Sequence, residues 1–346
     1  MKVIAAVLGT AVGLCVLAVL VWLAVRAILA HAPRKGISES VYAPINGSRQ
    51  WMSVYGKDRN NPVLLYLHGG PGVSTSEFDY VFTRKWADVY TVVTWDQRGC
   101  GKSRDALEPG TVITRELLLA DGIAAAEYVC KWLGKEKIVL LGHSFGSCLG
   151  ANLVLERPDL FERFIGTGQF VDLHKNELAF REAARGWAEG DPEGQALVDK
   201  LTPETLTGAH FVPRGALMQR YGLDMFANPR DYNLKAAMLF NPNYTLADWR
   251  RRKTAPVRPA EYGVLLVTDE IRRFSLLGRT RYEVPYCNIN GSRDYQTSHL
   301  VAAEYFREVE APRKEMYMME GVTHGLLETR TEEFSRILHT VARSDP

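Results

Sequence analysis

The chain has 346 residues, of which 46% are hydrophobic and 24% are charged. This composition is typical of a globular protein and excludes a disordered, collagen-like or low-complexity chain. The formal net charge of +2 provides no broad electrostatic field for nucleic acid, so we expect no nucleic-acid partner. The five cysteines show neither CxxC nor metal-ligand spacing, and we therefore expect no disulfide framework and no metal site.

The first 35 residues differ in character from the rest of the chain. Residues 3–25 carry no charge, and a helix of this length, at ~1.5 Å per residue, can cross a hydrocarbon core of ~30 Å. We therefore predict that residues 1–35 form a single-pass membrane anchor in contact with lipid, together with its flank. Two alternatives stay open, namely a cleaved secretory signal that ends near Ala30-His31-Ala32 and a buried core helix.

Basic residues flank this apolar segment on both sides. Lys2 precedes it, whereas Arg26, Arg34 and Lys35 follow it. Because cytoplasmic flanks carry an excess of Lys and Arg, this distribution favours a catalytic domain on the cytoplasmic side of the membrane.

Strand and helix signals alternate in the chain that follows. Residues 42–55 alternate in polarity around Asn46-Gly47, which predicts a two-residue β-hairpin. Short apolar runs bounded by turn residues predict buried strands. These runs are residues 63–67, 90–95, 137–141, 163–166, 284–289 and 314–319. Helical periodicity predicts helices at 117–133, 298–309 and 332–342.

The alternation stops between residues 172 and 281. That stretch is charged and helix-like, and a buried strand is expected in it only at Val264-Leu265-Leu266-Val267. We interpret residues 172–281 as a helical lid inserted between two parts of one core, residues 36–171 and 282–346. Strands that alternate with helices predict an α/β fold with a mostly parallel sheet flanked by helices.

A nucleophile motif lies between a predicted strand and a predicted helix, in Gly142-His143-Ser144-Phe145-Gly146. A sharp strand-to-helix turn places the central residue in a strained conformation and brings its neighbours close together, which glycine on both sides permits. The pattern therefore indicates Ser144 as the nucleophile of a serine hydrolase.

A serine hydroxyl needs a base, and the base needs a carboxylate to orient it. His324 follows the last predicted strand, so it falls at the sheet edge where the nucleophile also lies. Asp294 follows the predicted strand 284–289, and the chain order Ser144, Asp294, His324 is that of α/β-hydrolases. Asp172, which follows the strand at 163–166, is the alternative acid.

Acyl transfer also needs hydrogen-bond donors for the developing oxyanion. The turn at Ser144 supplies the backbone N–H of Phe145. The loop His68-Gly69-Gly70-Pro71-Gly72 follows a predicted strand and exposes N–H groups without side chains in the way. We select Gly70 from this loop as the second oxyanion donor.

Three segments together resemble the proline iminopeptidase group of α/β-hydrolases: residues 68–72, residues 96–103 and residues 142–146. The resemblance implies the α/β-hydrolase fold, Ser144, Asp294 and His324 as the catalytic triad, and Gly70 and Phe145 as the oxyanion hole. It also implies an enzyme that removes an N-terminal residue, often proline, and binds the free amine with lid carboxylates. Glu177 and Glu182 are the candidates for that role. Cys100 departs from the pattern, because serine is usual there. We expect no cofactor, because the sequence has no P-loop and no GxGxxG after a strand.

The leading hypothesis is a membrane-anchored serine aminopeptidase acting on small peptides. The first alternative is an esterase or lipase that uses the same triad on acyl esters near the bilayer. The second alternative is a non-catalytic binding protein with a hydrolase fold.

The basic run 250–253 in the lid is either a solvated face or a contact with anionic headgroups.

Overall fold

The computed structural model describes residues 2–205, 208–254 and 256–344. Eight strands form one sheet in the order β1-β2-β4-β3-β5-β6-β7-β8, in which β1 and β2 pair antiparallel and β3 to β8 are parallel. The strands are β1 Ile37–Ile45, β2 Ser48–Gly56, β3 Val63–Leu67, β4 Thr91–Trp95, β5 Ile138–His143, β6 Phe161–Thr167, β7 Tyr286–Gly291 and β8 Lys314–Met319. All six core strands expected from apolar runs are present, so the prediction of a mostly parallel sheet is confirmed.

The hairpin expected at Asn46-Gly47 is also confirmed. Ile45 of β1 faces Ser48 of β2 across the two-residue turn. Asn46 and Gly47 both have positive φ, at 41° and 76°, which is the conformation that twists a two-residue turn to match its strands.

Thirteen α-helices are seen in the described part of the chain. They are α1 Lys2–Ala30, α2 Tyr80–Thr83, α3 Arg115–Leu133, α4 Phe145–Glu156, α5 Leu173–Trp187, α6 Pro192–Val198, α7 Gly208–Arg220, α8 Leu234–Phe240, α9 Leu246–Thr254, α10 Ala260–Val267, α11 His299–Glu308, α12 Leu326–Thr329 and α13 Thr331–Arg343. Short 3₁₀ turns lie at Arg84–Trp86, Gly101–Ala106, Pro158–Leu160 and Asp269–Phe274.

Helices cover both faces of the sheet. Successive side chains of a strand point to opposite faces, and in β3 Leu65 and Leu67 join a core with α3, α4 and α11. Leu64 and Tyr66 join a second core with α2 and α13. The carboxyl ends of the parallel strands are left uncovered by these layers, and the loops that carry the candidate site lie there.

Helices α5 to α10 lie between β6 and β7, where the sequence predicts a lid. The prediction of a strand at 264–267 is wrong, because these residues form the second half of α10. Tyr262 and Leu265 are buried three residues apart, while Val264 and Val267 are more than half exposed. That spacing is helical, and four consecutive apolar residues alone do not distinguish a strand from a helix.

Helix α1 is the one helix among the described residues that is long and apolar enough to cross a membrane. Its apolar side chains are exposed along most of its length. Near its carboxyl end it contacts the lid, where the Trp22 indole donates to the Leu239 carbonyl at 2.8 Å. The Arg26 guanidinium donates to the carbonyls of Asn241 and Tyr244 at 2.6 and 2.7 Å. The amino-terminal helix is therefore attached to the lid rather than to the sheet.

Candidate active site

Ser144 lies at the junction of β5 and α4 with φ 57° and ψ −126°. Few non-glycine residues adopt this conformation, and it persists only where the surroundings enforce it. A Cβ on Gly142 would overlap the Gly146 carbonyl, and a Cβ on Gly146 would overlap the carbonyls of Leu67 and His68. The two glycines thus allow α4 to begin directly against β3, with the Ser144 hydroxyl at the sheet edge.

The three residues expected to form a triad lie in one hydrogen-bonded row. His324 Nε2 is 2.8 Å from Ser144 Oγ, and His324 Nδ1 is 2.8 Å from Asp294 Oδ2. All three come from segments that follow parallel strands, namely β5, β7 and β8. In this geometry Nδ1–H donates to the carboxylate, which leaves Nε2 free to accept the serine proton.

Asp294 is completely buried and oriented by the backbone. Its Oδ1 accepts the N–H groups of Gln296 and Thr297 at 3.0 and 3.1 Å, so Oδ2 is held towards the imidazole. The alternative acid, Asp172, is used elsewhere. It caps the amino terminus of α5 and accepts the Lys175 N–H at 2.7 Å. The structure therefore places Asp294, and not Asp172, beside His324.

A second imidazole lies against His324. The ring of His143 is 4.9 Å from that of His324, centroid to centroid, and its Nδ1 is 3.0 Å from Thr167 Oγ1. Burial, reinforced by repulsion from His324, holds the pKa of His143 well below its usual range. His143 is therefore a neutral support for the His324 ring, a role that the sequence did not reveal.

The loop that carries Gly70 is tied to the loop after β4. His68 Nδ1–H donates to the Gly69 carbonyl at 2.9 Å, and His68 Nε2 accepts the Gln97 N–H at 3.2 Å. Burial lowers the pKa of His68 to about 4, so this bridge is uncharged at neutral pH. Among the described residues, neither the Gly70 nor the Phe145 N–H donates to a protein acceptor, and both residues line the cavity beside Ser144.

The loop after β4 is held by two buried acids. Asp96 accepts hydrogen bonds from the Ser74 and Ser76 hydroxyls and from the Lys102 N–H. Asp121 forms a two-point ion pair with Arg98, at 2.7 Å for each contact. Residues 96–103, which carry part of the family resemblance, therefore stabilise the loops behind the site rather than line the Ser144 cavity.

A cavity of about 450 Å³ opens beside Ser144, within the range of ~300–1,000 Å³ typical of small-molecule sites. Most of its wall is apolar and comes from α4, the loop after β6 and the lid, with Phe145, Phe170, Leu173, Phe211, Leu266 and Ile271. Its charged lining residues are Glu177, Arg214 and Arg258. The residues described contain no cluster of His, Cys, Asp or Glu able to hold a metal ion.

The two lid glutamates predicted to bind an amine have different surroundings. Glu177 lines the cavity and is almost fully buried, and its Oε2 accepts from Arg214 Nε at 2.7 Å and from His210 Nε2 at 2.9 Å. Burial acts to raise the pKa of Glu177, but Arg214 and the hydrogen bonds outweigh it and leave that pKa below its usual range. Glu182 is exposed and pairs with Arg185, so the prediction that it lines the site is wrong. Five helical residues turn the chain by about 140° and place Glu182 on another face of α5.

Comparison with known proteins agrees with this architecture. Residues 62–331 match the family described as alpha/beta hydrolase fold, and the chain belongs to that family. The probable aminopeptidase YbaC of Bacillus subtilis is 27% identical over 319 residues, which cover 90% of this chain and 97% of that protein. A proline iminopeptidase of Saccharolobus solfataricus is 34% identical over 128 residues, which cover 35% of this chain and 39% of that protein. The chain is thus a serine hydrolase similar in sequence to aminopeptidases.

Solved structures with the same fold include a proline iminopeptidase-related protein from Thermus thermophilus. It aligns with a TM-score of 0.59 and 22% identity over 88% of this chain and 97% of its own. The proline iminopeptidase of Mycobacterium smegmatis aligns with a TM-score of 0.57 and 18% identity, over 88% and 99%. An epoxide hydrolase from Vigna radiata aligns almost as well, with a TM-score of 0.55 and 18% identity over 90% and 99%. Likeness at these identities shows the fold alone.

The buried carboxyl of Asp79 contributes stability that is lost as pH rises. Burial raises the pKa of Asp79 to about 8, and repulsion from Asp96 adds to the rise. The native state therefore keeps a proton on Asp79 that the unfolded chain has already released, so the contribution of this carboxyl to the free energy of unfolding falls between about pH 4 and pH 8. Asp79→Asn, which is neutral at every pH, should flatten this decline and stabilise the protein at about pH 9.

Urea unfolding of the protein at several pH values measures this effect. The matched control is Asp88→Asn, because the Asp88 carboxylate is exposed and forms a surface ion pair with Lys57. We expect this control to leave the slope of stability against pH unchanged. A slope for Asp79→Asn equal to that of the wild type would contradict the prediction.

Proposed function

We propose that the protein is a serine aminopeptidase that releases an N-terminal residue from small peptides through an acyl-enzyme intermediate. The observation that carries the proposal is the row Ser144–His324–Asp294, with two contacts of 2.8 Å. The similarity to the probable aminopeptidase over nearly its whole length supports a peptide substrate. Proline-like residues are the proposed preference, since several shorter matches are proline iminopeptidases.

In the proposed reaction, His324 Nε2 removes the proton of the Ser144 hydroxyl as Oγ attacks the carbonyl carbon of the first peptide bond. The N–H groups of Gly70 and Phe145 stabilise the negative charge that develops on the carbonyl oxygen. His324 then donates its proton to the leaving amine, and the C–N bond breaks to leave an ester on Ser144. Water, deprotonated by His324, hydrolyses this ester, while Asp294 stabilises the imidazolium in both halves.

Replacing the nucleophile should remove turnover without unfolding the protein. In Ser144→Ala the buried contacts around the turn remain, because only a hydroxyl oxygen is lost. We expect kcat to fall by about 10⁴-fold or more, and His324→Ala to be comparably severe because triad members act as a unit. Steady-state assays and circular dichroism of both variants check this. Normal turnover by folded Ser144→Ala protein would refute the mechanism.

Glu177 is the proposed partner of the substrate amine. Its carboxylate lines the cavity that contains Ser144, and its Oε1 accepts from Asn176 at 2.9 Å. A desolvated ammonium without a partner is costly, so a nearby carboxylate would favour substrates with a free amino terminus.

A free amino group on the substrate should therefore increase the rate of turnover. We expect acetylation of a proline arylamide to reduce kcat/KM by about 10²-fold or more, because it removes a buried charge contact. The measurement compares free and acetylated arylamides on one preparation, with short and long acyl esters alongside.

The esterase is the second candidate function, favoured by the largely apolar wall of the cavity. An esterase would cleave long acyl esters rapidly and would treat free and acetylated arylamides alike. That pattern of rates would show that the protein is an esterase and would reject the proposed aminopeptidase function.

We also propose that α1 anchors the enzyme in a membrane, with the catalytic domain on the cytoplasmic side. Support comes from the length and exposure of the helix and from the basic residues Arg26, Arg34 and Lys35 that follow its apolar stretch. The contacts of Trp22 and Arg26 with the lid would then hold the cavity near the bilayer.

Fractionation tests the anchor. Full-length protein should stay in the membrane pellet after extraction with alkaline carbonate, because a spanning helix is not held by charge. A soluble product that begins near Pro33, identified by sequencing its amino terminus, would favour a cleaved signal sequence instead.

A further inference from the structure

The three charged groups that line the Ser144 cavity are not equivalent. Glu177 and Arg214 satisfy one another through a contact of 2.7 Å, and Arg214 also donates to the Gln296 side chain and to the carbonyls of Tyr295 and Gln296. Arg258 stands apart. Within the described ranges its guanidinium contacts no carboxylate and no other acceptor, and its Nε is buried without a hydrogen-bond partner. One positive charge on the cavity wall is therefore left unpaired.

Arg258 is only partly buried, and Nε is the guanidinium atom that solvent does not reach. Partial desolvation of an unpaired positive charge is unfavourable, so the terminal nitrogens favour a negatively charged acceptor. Desolvation lowers the pKa of Arg258, and only a small opposing influence comes from Cys100. Burial in turn holds the pKa of the Cys100 thiol far above its usual range, so this neighbour supplies no negative charge at neutral pH. A carboxylate suits the Arg258 side chain, because a guanidinium can give it two parallel hydrogen bonds and a peptide substrate carries a carboxylate at its carboxyl terminus.

The backbone at Arg258 is held in place before any substrate arrives. Arg258 lies in the connection between α9 and α10 and directly precedes Pro259, and a residue before proline is restricted to extended conformations. The Arg104 guanidinium donates to the Pro256 carbonyl at 3.0 Å on one side of it. On the other side, Tyr262 is fully buried and donates to the Arg98 carbonyl at 2.8 Å. Little backbone freedom is therefore lost at Arg258 when a ligand binds.

We propose that Arg258 binds a carboxylate of the substrate, and that the enzyme therefore prefers very short peptides whose free carboxyl terminus reaches this cavity. The inference rests on the proposed aminopeptidase function and deepens it. A dipeptide carries one ammonium and one carboxylate, and the same cavity of about 450 Å³ presents Glu177 and Arg258. An acidic side chain on the N-terminal residue is the other source of the same chemical group.

The test compares substrates that differ in one charge. Wild-type full-length protein in detergent should hydrolyse prolyl-glycine at least about 10-fold faster, by kcat/KM, than prolyl-glycinamide. Arg258→Met should bring that ratio close to one, and Arg258→Lys should keep part of it. The matched control is Arg250→Met, an exposed arginine on α9, which should leave the ratio unchanged. Because each ratio is measured on one preparation, partial unfolding does not alter it.

A second pair of substrates identifies the source of the carboxylate. If the preference appears instead between glutamyl and glutaminyl arylamides and is lost in Arg258→Met, the bound carboxylate is that of the N-terminal side chain. This outcome supports carboxylate binding by Arg258 but overturns the preference for short peptides. Equal rates within both pairs in the wild type, or ratios that survive Arg258→Met, overturn the proposal as a whole.

Binding without turnover separates this inference from the proposed function. Calorimetric titration of Ser144→Ala protein with prolyl-glycine and with prolyl-glycinamide gives a ratio of Kd values that does not depend on catalysis. If the wild type cleaves only acyl esters but this ratio exceeds about 10 and is lost in Ser144→Ala/Arg258→Met, the aminopeptidase fails and the carboxylate site stands. Equal Kd values for the two peptides would overturn binding of the peptide's carboxyl terminus by Arg258, whatever the enzyme hydrolyses.

Discussion

The strained turn at Ser144 is the constraint on which the rest of the site depends. A positive φ at a serine is unfavourable in isolation, and it is enforced because α4 begins in contact with the carbonyls at the end of β3. Only glycine at positions 142 and 146 permits that approach. The same turn places the hydroxyl towards His324 and exposes the Phe145 N–H beside it, so the proposed nucleophile and one oxyanion donor are positioned by a single packing contact.

Around this turn, uncharged or internally paired groups hold the loops of the sheet edge. His68 bridges two of these loops as a neutral imidazole, and His143 supports the His324 ring in the same state. The buried charge pair behind the site, Arg98 with Asp121, satisfies both partners at two points. Loops that are already fixed need not rearrange as charge develops during the reaction, so this arrangement suits acyl transfer.

The lid forms much of the cavity in which a substrate of the proposed enzyme would bind. It contributes much of the apolar wall, the pair Glu177–Arg214 and the unpaired Arg258, so the cavity offers both signs of charge within an otherwise apolar space. Through Trp22 and Arg26 the amino-terminal helix contacts the lid. If α1 anchors the protein as proposed, the lid that forms much of the cavity wall would be held next to the membrane.

Local sequence patterns determined the alternating α/β order and the hairpin at Asn46-Gly47, because these depend on backbone preferences that act over a few residues. They also determined Ser144, Asp294 and His324 as candidates, because each of these residues follows a locally predicted strand. Chain order alone left Asp172 open as the acid, and tertiary structure placed it as a helix cap. The prediction of a strand at 264–267 was wrong, because four residues are too few to show a helical or strand period. The prediction that Glu182 lines the site was wrong, because it required knowing which face of α5 is buried. Only the packed lid brought Arg214 onto Glu177 and left Arg258 without a partner among the residues described. Arg214 and Arg258 lie 37 and 81 residues beyond Glu177 in the chain, so no local preference joins them.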